Sequence, residues 1–143
     1  MSQENVDFVA DSLRRFGVTK KPTGLTAPDF VWAMDTFAGW PDELEYRGWE
    51  GFMAFFAKWT EPYDQWDLDV IEIRDAGGDH VVADLRQRGR LRGADSWVEL
   101  RFGVVYTVVD GLVRRAQVYD TSGGALEAAG LGTQGASSQE PAG

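Results

Sequence analysis

Residues 95–131, DSWVELRFGVVYTVVDGLVRRAQVYDTSGGALEAAGL, decide the architecture of this chain. Val98, Leu100, Phe102, Val104, Tyr106 and Val108 recur every second residue, with Glu99, Arg101 and Thr107 between them. That period places one continuous apolar face on a long strand and the polar residues opposite. Asp110-Gly111 reads as a tight hairpin turn, RRAQVYD as the returning strand, and ALEAAGL as a short helix that ends the domain.

Upstream, GAD at 93–95 and AGGD at 76–79 are turns that separate HVVADLRQRGRL from its neighbours, and LDVIEIRD is the strand before it. Together these make a four-stranded antiparallel meander. Gly48 to Thr60 carries Trp49, Phe52, Met53, Phe56 and Trp59 at helical spacing, a stripe wide enough to need a sheet beneath it, and EPYDQWD breaks that helix at Pro62. LEYRG is a short strand, FAGWPDE a turn-rich loop, and DFVWAMDTF at 29–37 a strand with Phe30, Trp32 and Met34 on one side. Ser2 is placed to cap a first helix running to about Phe16, with Val6, Val9, Leu13 and Phe16 on its apolar face and Gly17 as its stop. Residues 17–28 form a connector. The order predicts an α+β domain over 1–131 with helices stacked on one face of a curved sheet, and GTQGASSQEPAG at 132–143 reads as a disordered tail.

The 143 residues fit one core. Six Trp and eight Phe are a heavy aromatic load that suits a lined cavity or an apolar interface as well as plain core filling. A net charge of −9, from 23 acids against 14 bases, repels phosphate backbones and anionic membranes, so neither nucleic acid nor a membrane is expected as a partner. Arg86, Arg88, Arg90 and Arg92 share one strand face, with Glu99 and Arg101 across from them. This reads as a solvated or dimer-facing surface, the alternative being an anionic-ligand site. With no cysteine there is no disulfide, thiolate nucleophile or thiolate metal site. MSQENVDF lacks an apolar signal core and no apolar run is long enough to cross a bilayer, so a cytoplasmic protein is expected.

DFVWAMDTF followed by YRGWEGFMAFFAKW, then IRDAGGDHVVADLRQRGRLRG and FGVVYTVVDGLVRRAQVYDTSGGALEAAGL, resemble a SnoaL-like member of the nuclear transport factor two superfamily. The resemblance covers about residues 3–131. It implies a cone-shaped, curved antiparallel sheet wrapped around N-terminal helices, with a short C-terminal helix. The superfamily includes ketosteroid isomerases, polyketide cyclases, epoxide hydrolases, dehydratases and members that only bind ligands or partners. Met34 stands at the position that resembles that of the isomerases' base, and a thioether cannot take a proton. Val104 stands where several SnoaL-like sequences carry His.

Asp35 lies one step beyond Met34, and strand alternation turns it away from the cone unless a β-bulge swings it inward. Gln87, Tyr106 and Tyr119 are the polar candidates for the interior, with Trp32, Tyr63 and Trp66 as walls. Tyr119 and Asp120 also suit docking of the terminal helix. The sole histidine, His80, follows a turn and reads as exposed. Asp64, Asp67 and Asp69, like Asp75 and Asp79, lack the ligand order of a calcium loop and read as solvated acids. No metal site and no cofactor are expected, and no serine lies in a nucleophile elbow.

Three functions compete. One is a pocket binding a hydrophobic small molecule, with Trp32, Met34, Leu85, Gln87, Leu100, Phe102, Val104, Tyr106 and Tyr119 as ligand-binding residues. The alternative is an acid/base enzyme of cyclase, isomerase or epoxide hydrolase type with Asp35 and Tyr106 catalytic. The third is an interaction protein that dimerises through Trp97, Val105, Arg86 and Arg88 on the outer sheet face, and a homodimer is compatible with either of the others.

Overall fold

Alternating burial along β4 (His80–Leu91) and β5 (Trp97–Val109) sets the frame of the protein. The computed structural model describes residues 2–19 and 26–131. The tail expected at 132–143 and the connector residues 20–25 lie outside them, as does the side chain of Ser2. The order is α1 (Ser2–Thr19), β1 (Thr26–Ala33), β2 (Glu45–Arg47), α2 (Gly48–Thr60), β3 (Tyr63–Gly77), β4, β5, β6 (Leu112–Tyr119) and α3 (Ser122–Ala128). The six strands form one curved sheet in the order β2-β1-β6-β5-β4-β3.

β3 to β6 are the expected antiparallel meander, with Leu85 opposite Phe102 and Val104 opposite Val118. The β5–β6 turn has Asp110 at φ 55° and Gly111 at φ 75°, the pair of positive values that a two-residue hairpin matched to strand twist demands. One pairing departs from the antiparallel expectation: β1 runs parallel to β6, so the sheet is mixed. The connection from β1 back to β6 passes through α2 and the whole meander, and a parallel pair needs a long crossover of that kind.

Three other boundaries moved. α1 continues through Gly17 to Thr19, because a helical glycine costs only about 1 kcal/mol relative to Ala and is a weak stop by itself. β3 begins at Tyr63 and not at Leu68, since Pro62 ends α2 and then leads directly into the strand. β1 ends at Ala33. The chain turns there because the Met34 carbonyl accepts the Phe37 N–H and the Met34 N–H donates to the Leu44 carbonyl, which leaves Asp35 in a loop. The ladder to β6 is also interrupted around Pro28, skipping from Thr26 to Val31, as expected for a residue without an N–H.

α1 and α2 cover the concave face, where Val9, Phe52 and Phe55 are buried against Leu85, Phe102 and Val104. α3 does not join them. It lies on the convex face over Gly103, where a Cβ would come within 2.5 Å of the Ala125 Cβ, and Thr121 caps it by accepting the Gly124 N–H at 2.9 Å. Tyr119 borders this helix, as its docking reading had it.

Candidate functional site

Between α1, α2 and the concave face lies a cavity of about 110 Å³. Its helical walls come from the apolar stripes of α1 (Val9, Leu13, Phe16) and α2 (Phe52, Phe55, Phe56, Trp59). The sheet supplies Trp32, Trp66, Leu85, Phe102 and Tyr106. The rings interlock edge to face: Phe16 on Phe56 at 5.0 Å, Trp32 on Phe52 at 4.9 Å, Phe56 on Trp66 at 5.2 Å between centroids. Trp49 lines the cavity and is also 38% exposed, so its mouth opens beside the first turn of α2.

Among the described residues no charged side chain lines this space. The lining residues that carry a polar side-chain atom are Ser12, Trp32, Trp49, Trp59, Trp66 and Tyr106. Burial pushes the Tyr106 hydroxyl well above its ordinary pKa of 10.0, so it remains a neutral donor at any ordinary pH. Ser12 Oγ and Trp32 Nε1 are buried without a hydrogen-bond partner among the described residues.

Of the pocket residues read from the sequence, Trp32, Leu85, Phe102 and Tyr106 border the cavity together. Met34 and Val104, both 0% exposed, are packed into the core and do not line it, and Leu100 is half-buried against the core and does not line it either. Gln87 points inward and is 2% exposed, but its Oε1 accepts the indole N–H groups of Trp59 at 2.6 Å and Trp66 at 3.0 Å. It braces two walls from behind. Tyr63, expected as a wall, packs its ring on Gly89 instead. Tyr119 faces α3, across the sheet from the cavity.

Asp35 is exposed and accepts the Gln117 Nε2 N–H at 2.6 Å; no bulge brings it to the cavity. The helical half of the lining was missed as a site because an apolar stripe reads first as core. Ser12, a polar residue three positions after Val9 and one before Leu13, was the available signal.

On the convex face the arginine series is matched by acids. Arg86 bonds Asp69 at 3.0 Å and Arg90 bonds Asp64 at 2.8 Å, so these β3 carboxylates are ladder partners of β4. The hydrogen bond from Arg90 holds the Asp64 carboxyl below its ordinary range. Arg88 pairs with Glu99 at 3.6 Å and lies 5.1 Å from the Trp97 ring centre, and Arg101 grips Asp84 with two nitrogens. Arg92 leaves the series to bond the carbonyls of Glu61 and Tyr63. Among the described residues no group of three or more His, Asp or Glu could hold a metal ion, and no helix is long and apolar enough to cross a membrane.

No curated protein matches the chain. Solved structures with the same fold include a nuclear transport factor 2-like protein from Burkholderia thailandensis E264, 22% identical, with a TM-score of 0.68 over 87% of this chain and 95% of that one. TerC, co-crystallised with polyporic acid, is 18% identical with a TM-score of 0.66 over 88% and 98% of the two chains. A protein with a ketosteroid isomerase-like fold from Catenulispora acidiphila DSM 44928, in complex with trimethylamine, is 16% identical with a TM-score of 0.60 over 85% and 93%. The SnoaL-like domain matches residues 20–116, the span from the connector after α1 to the middle of β6, and the chain belongs to that family.

Proposed function

We propose that this SnoaL-like protein binds a hydrophobic small molecule in the cavity between α1, α2 and the concave sheet face, and does so as a homodimer. The observation that carries this reading is the lining itself: aromatic and aliphatic side chains with a few polar groups and no charge among the described residues. Two neighbours of the same fold were crystallised with small molecules, polyporic acid in one and trimethylamine in the other. The volume of about 110 Å³ suits a single ring or the apolar end of a longer molecule whose remainder leaves past Trp49. Acid/base chemistry through Asp35 has no such support, because the carboxylate is engaged by Gln117 in an exposed loop.

For the dimer the proposed occupant of the convex face is a second copy of this chain. Trp97 is 41% exposed there, and the face carries alternating arginines and acids that a two-fold axis can bring into register. Native mass spectrometry of the protein from its own host reads both parts at once. The expected result is a dimer carrying one apolar mass per protomer, with the mass missing from a Leu85→Phe variant whose longer side chain fills the cavity. A monomer overturns the dimer. A protein that carries nothing and shows no saturable binding of α-methylstyrene overturns the pocket.

A further inference from the structure

β3 stands at one end of the sheet order, so one side of its backbone faces no neighbouring strand among the described residues. Proteins commonly blunt such an edge with Lys or Pro, or keep it very short. This one runs 15 residues, Tyr63–Gly77, and carries neither Lys nor Pro. Val70 and Ile71 at its middle are 40% and 41% exposed.

A bulge at the same place makes the strand complementary to itself. The ladder to β4 passes from Val70 opposite Leu85 to Glu72 opposite Asp84, which leaves Ile71 as an extra residue. In a regular strand, residues an odd number of steps apart lie on opposite faces. The extra residue cancels that rule for any pair that spans it. Asp67 and Arg74 therefore share the convex face, opposite Arg88 and Val82 of β4, while Leu68 and Ile73 share the concave face, opposite Gln87 and Ala83. Neither Asp67 nor Arg74 has an ion-pair partner among the described residues.

We infer that two copies of the chain join edge to edge through β3, antiparallel about a two-fold axis between Val70 and Ile71. That axis sets Asp67 of each copy opposite Arg74 of the other, Leu68 opposite Ile73 and Val70 opposite Ile71. Unpaired charges then meet opposite charges, and apolar groups meet apolar groups. The like-charged match in this span is Asp69 against Glu72, and Asp69 is already held by Arg86 at 3.0 Å. The surface is the rim of the sheet, apart from the convex face proposed for the homodimer, so edge pairing doubles whatever species that face forms. Rim pairing of one strand buries less than the roughly 1,200 Å² of a standard interface, which makes the association weak and concentration-dependent.

Sedimentation equilibrium of the full chain, raised to about 0.5 mM, should show the mass of the dilute species double. Hydrogen exchange at the two ends of that range should show β3 amides around Val70 and Ile71 gaining protection. Edge pairing gives the outward N–H groups of the strand an acceptor, and face-to-face packing does not. Asp67→Arg and Arg74→Asp each set like charges opposite one another twice across the axis, and each should weaken the doubling about tenfold. Joined in one chain, the two changes restore both opposite-charge pairs and the net charge, and the doubling should return. Ile71→Lys, at an exposed position, should abolish it.

A mass that stays constant, doubling without protection of β3, single charge variants that double like the wild type, or a double variant as weak as the single ones overturns the edge pairing. The convex-face dimer is read separately, from the mass of the dilute species.

Discussion

Replacing Gln87 by Leu tests how the cavity walls are held. Gln87 lies on β4, and through one carbonyl oxygen it ties the last turn of α2 (Trp59, 2.6 Å) and the start of β3 (Trp66, 3.0 Å) to the middle of the sheet. Leu conserves the volume and removes the oxygen that accepts both indole N–H groups, so the two donors lose that acceptor in aromatic surroundings. An unsatisfied buried donor costs about 1–3 kcal/mol, and both indoles sit on half-buried residues, so the lower half of that range applies to each: about 2–4 kcal/mol together. At about 3 °C per kcal/mol for a chain of this length, the melting temperature should fall by about 6–12 °C.

Urea unfolding followed by far-UV circular dichroism gives the free energy directly. The decisive comparison is the same substitution in a Trp59→Phe/Trp66→Phe background. With both donors gone, Gln87→Leu should cost less than about 1 kcal/mol there, because replacing all partners by apolar groups strands nothing. A loss below 1 kcal/mol in the wild type, or the same loss in both backgrounds, refutes the bracing argument.

Gly103→Ala should loosen α3. The new methyl would lie 2.5 Å from Ala125 Cβ and 3.1 Å from Ser122 Cα, so the helix must lift, at about 1–3 kcal/mol for overpacking. Hydrogen exchange should show α3 amides deprotected while β3–β4 amides keep their protection; unchanged α3 amides would mean the helix does not press on the sheet. The alkaline limb of stability should depend on Tyr106. Its folded pKa is raised above the unfolded value near 10.0, so the unfolded state loses the proton first, and the contribution present below pH 10 is lost as pH climbs toward the folded value. Tyr106→Phe should therefore flatten the decline in unfolding free energy above pH 10. An equally steep decline in the variant would show that the hydroxyl titrates freely in the folded state.

The sheet was legible where side chains alternate without interruption. Phe102, Val104, Tyr106 and Val108 are all buried on one face of β5, and the Asp110-Gly111 turn fixes the β5–β6 register by its own backbone demands. What could not be read locally is pairing between distant segments. Nothing in TAPDFVWA says that its partner is β6 and that the two run parallel; that depends on where the closed meander leaves an open edge. α3 was misplaced for a related reason. A helix as short as SGGALEA has one small apolar contact, Ala125, and the feature that admits it is the absent side chain of Gly103 on another element.

The cavity was half legible, and the division follows the same physics. Strand alternation told inward from outward and so found Trp32, Leu85, Phe102 and Tyr106, but it cannot tell a residue that faces empty space from one pressed by a helix. Met34 and Val104 face inward and end fully packed. The distinction is made by the helices, whose aromatic side chains are too bulky and too rigid to close every gap left by a curved sheet. A stripe of Leu or Met would collapse further into the space, whereas Phe52, Phe55, Phe56 and Trp59 interlock ring on ring and rest as rigid rings on Trp32 and Phe102 of the sheet. The heavy aromatic content therefore has a structural meaning that composition alone leaves ambiguous: it props the cone open. Ser12 shows the residue-level counterpart. On an apolar stripe between Val9 and Phe16, its hydroxyl is buried without a hydrogen-bond partner among the described residues, a desolvation cost that packing does not offset.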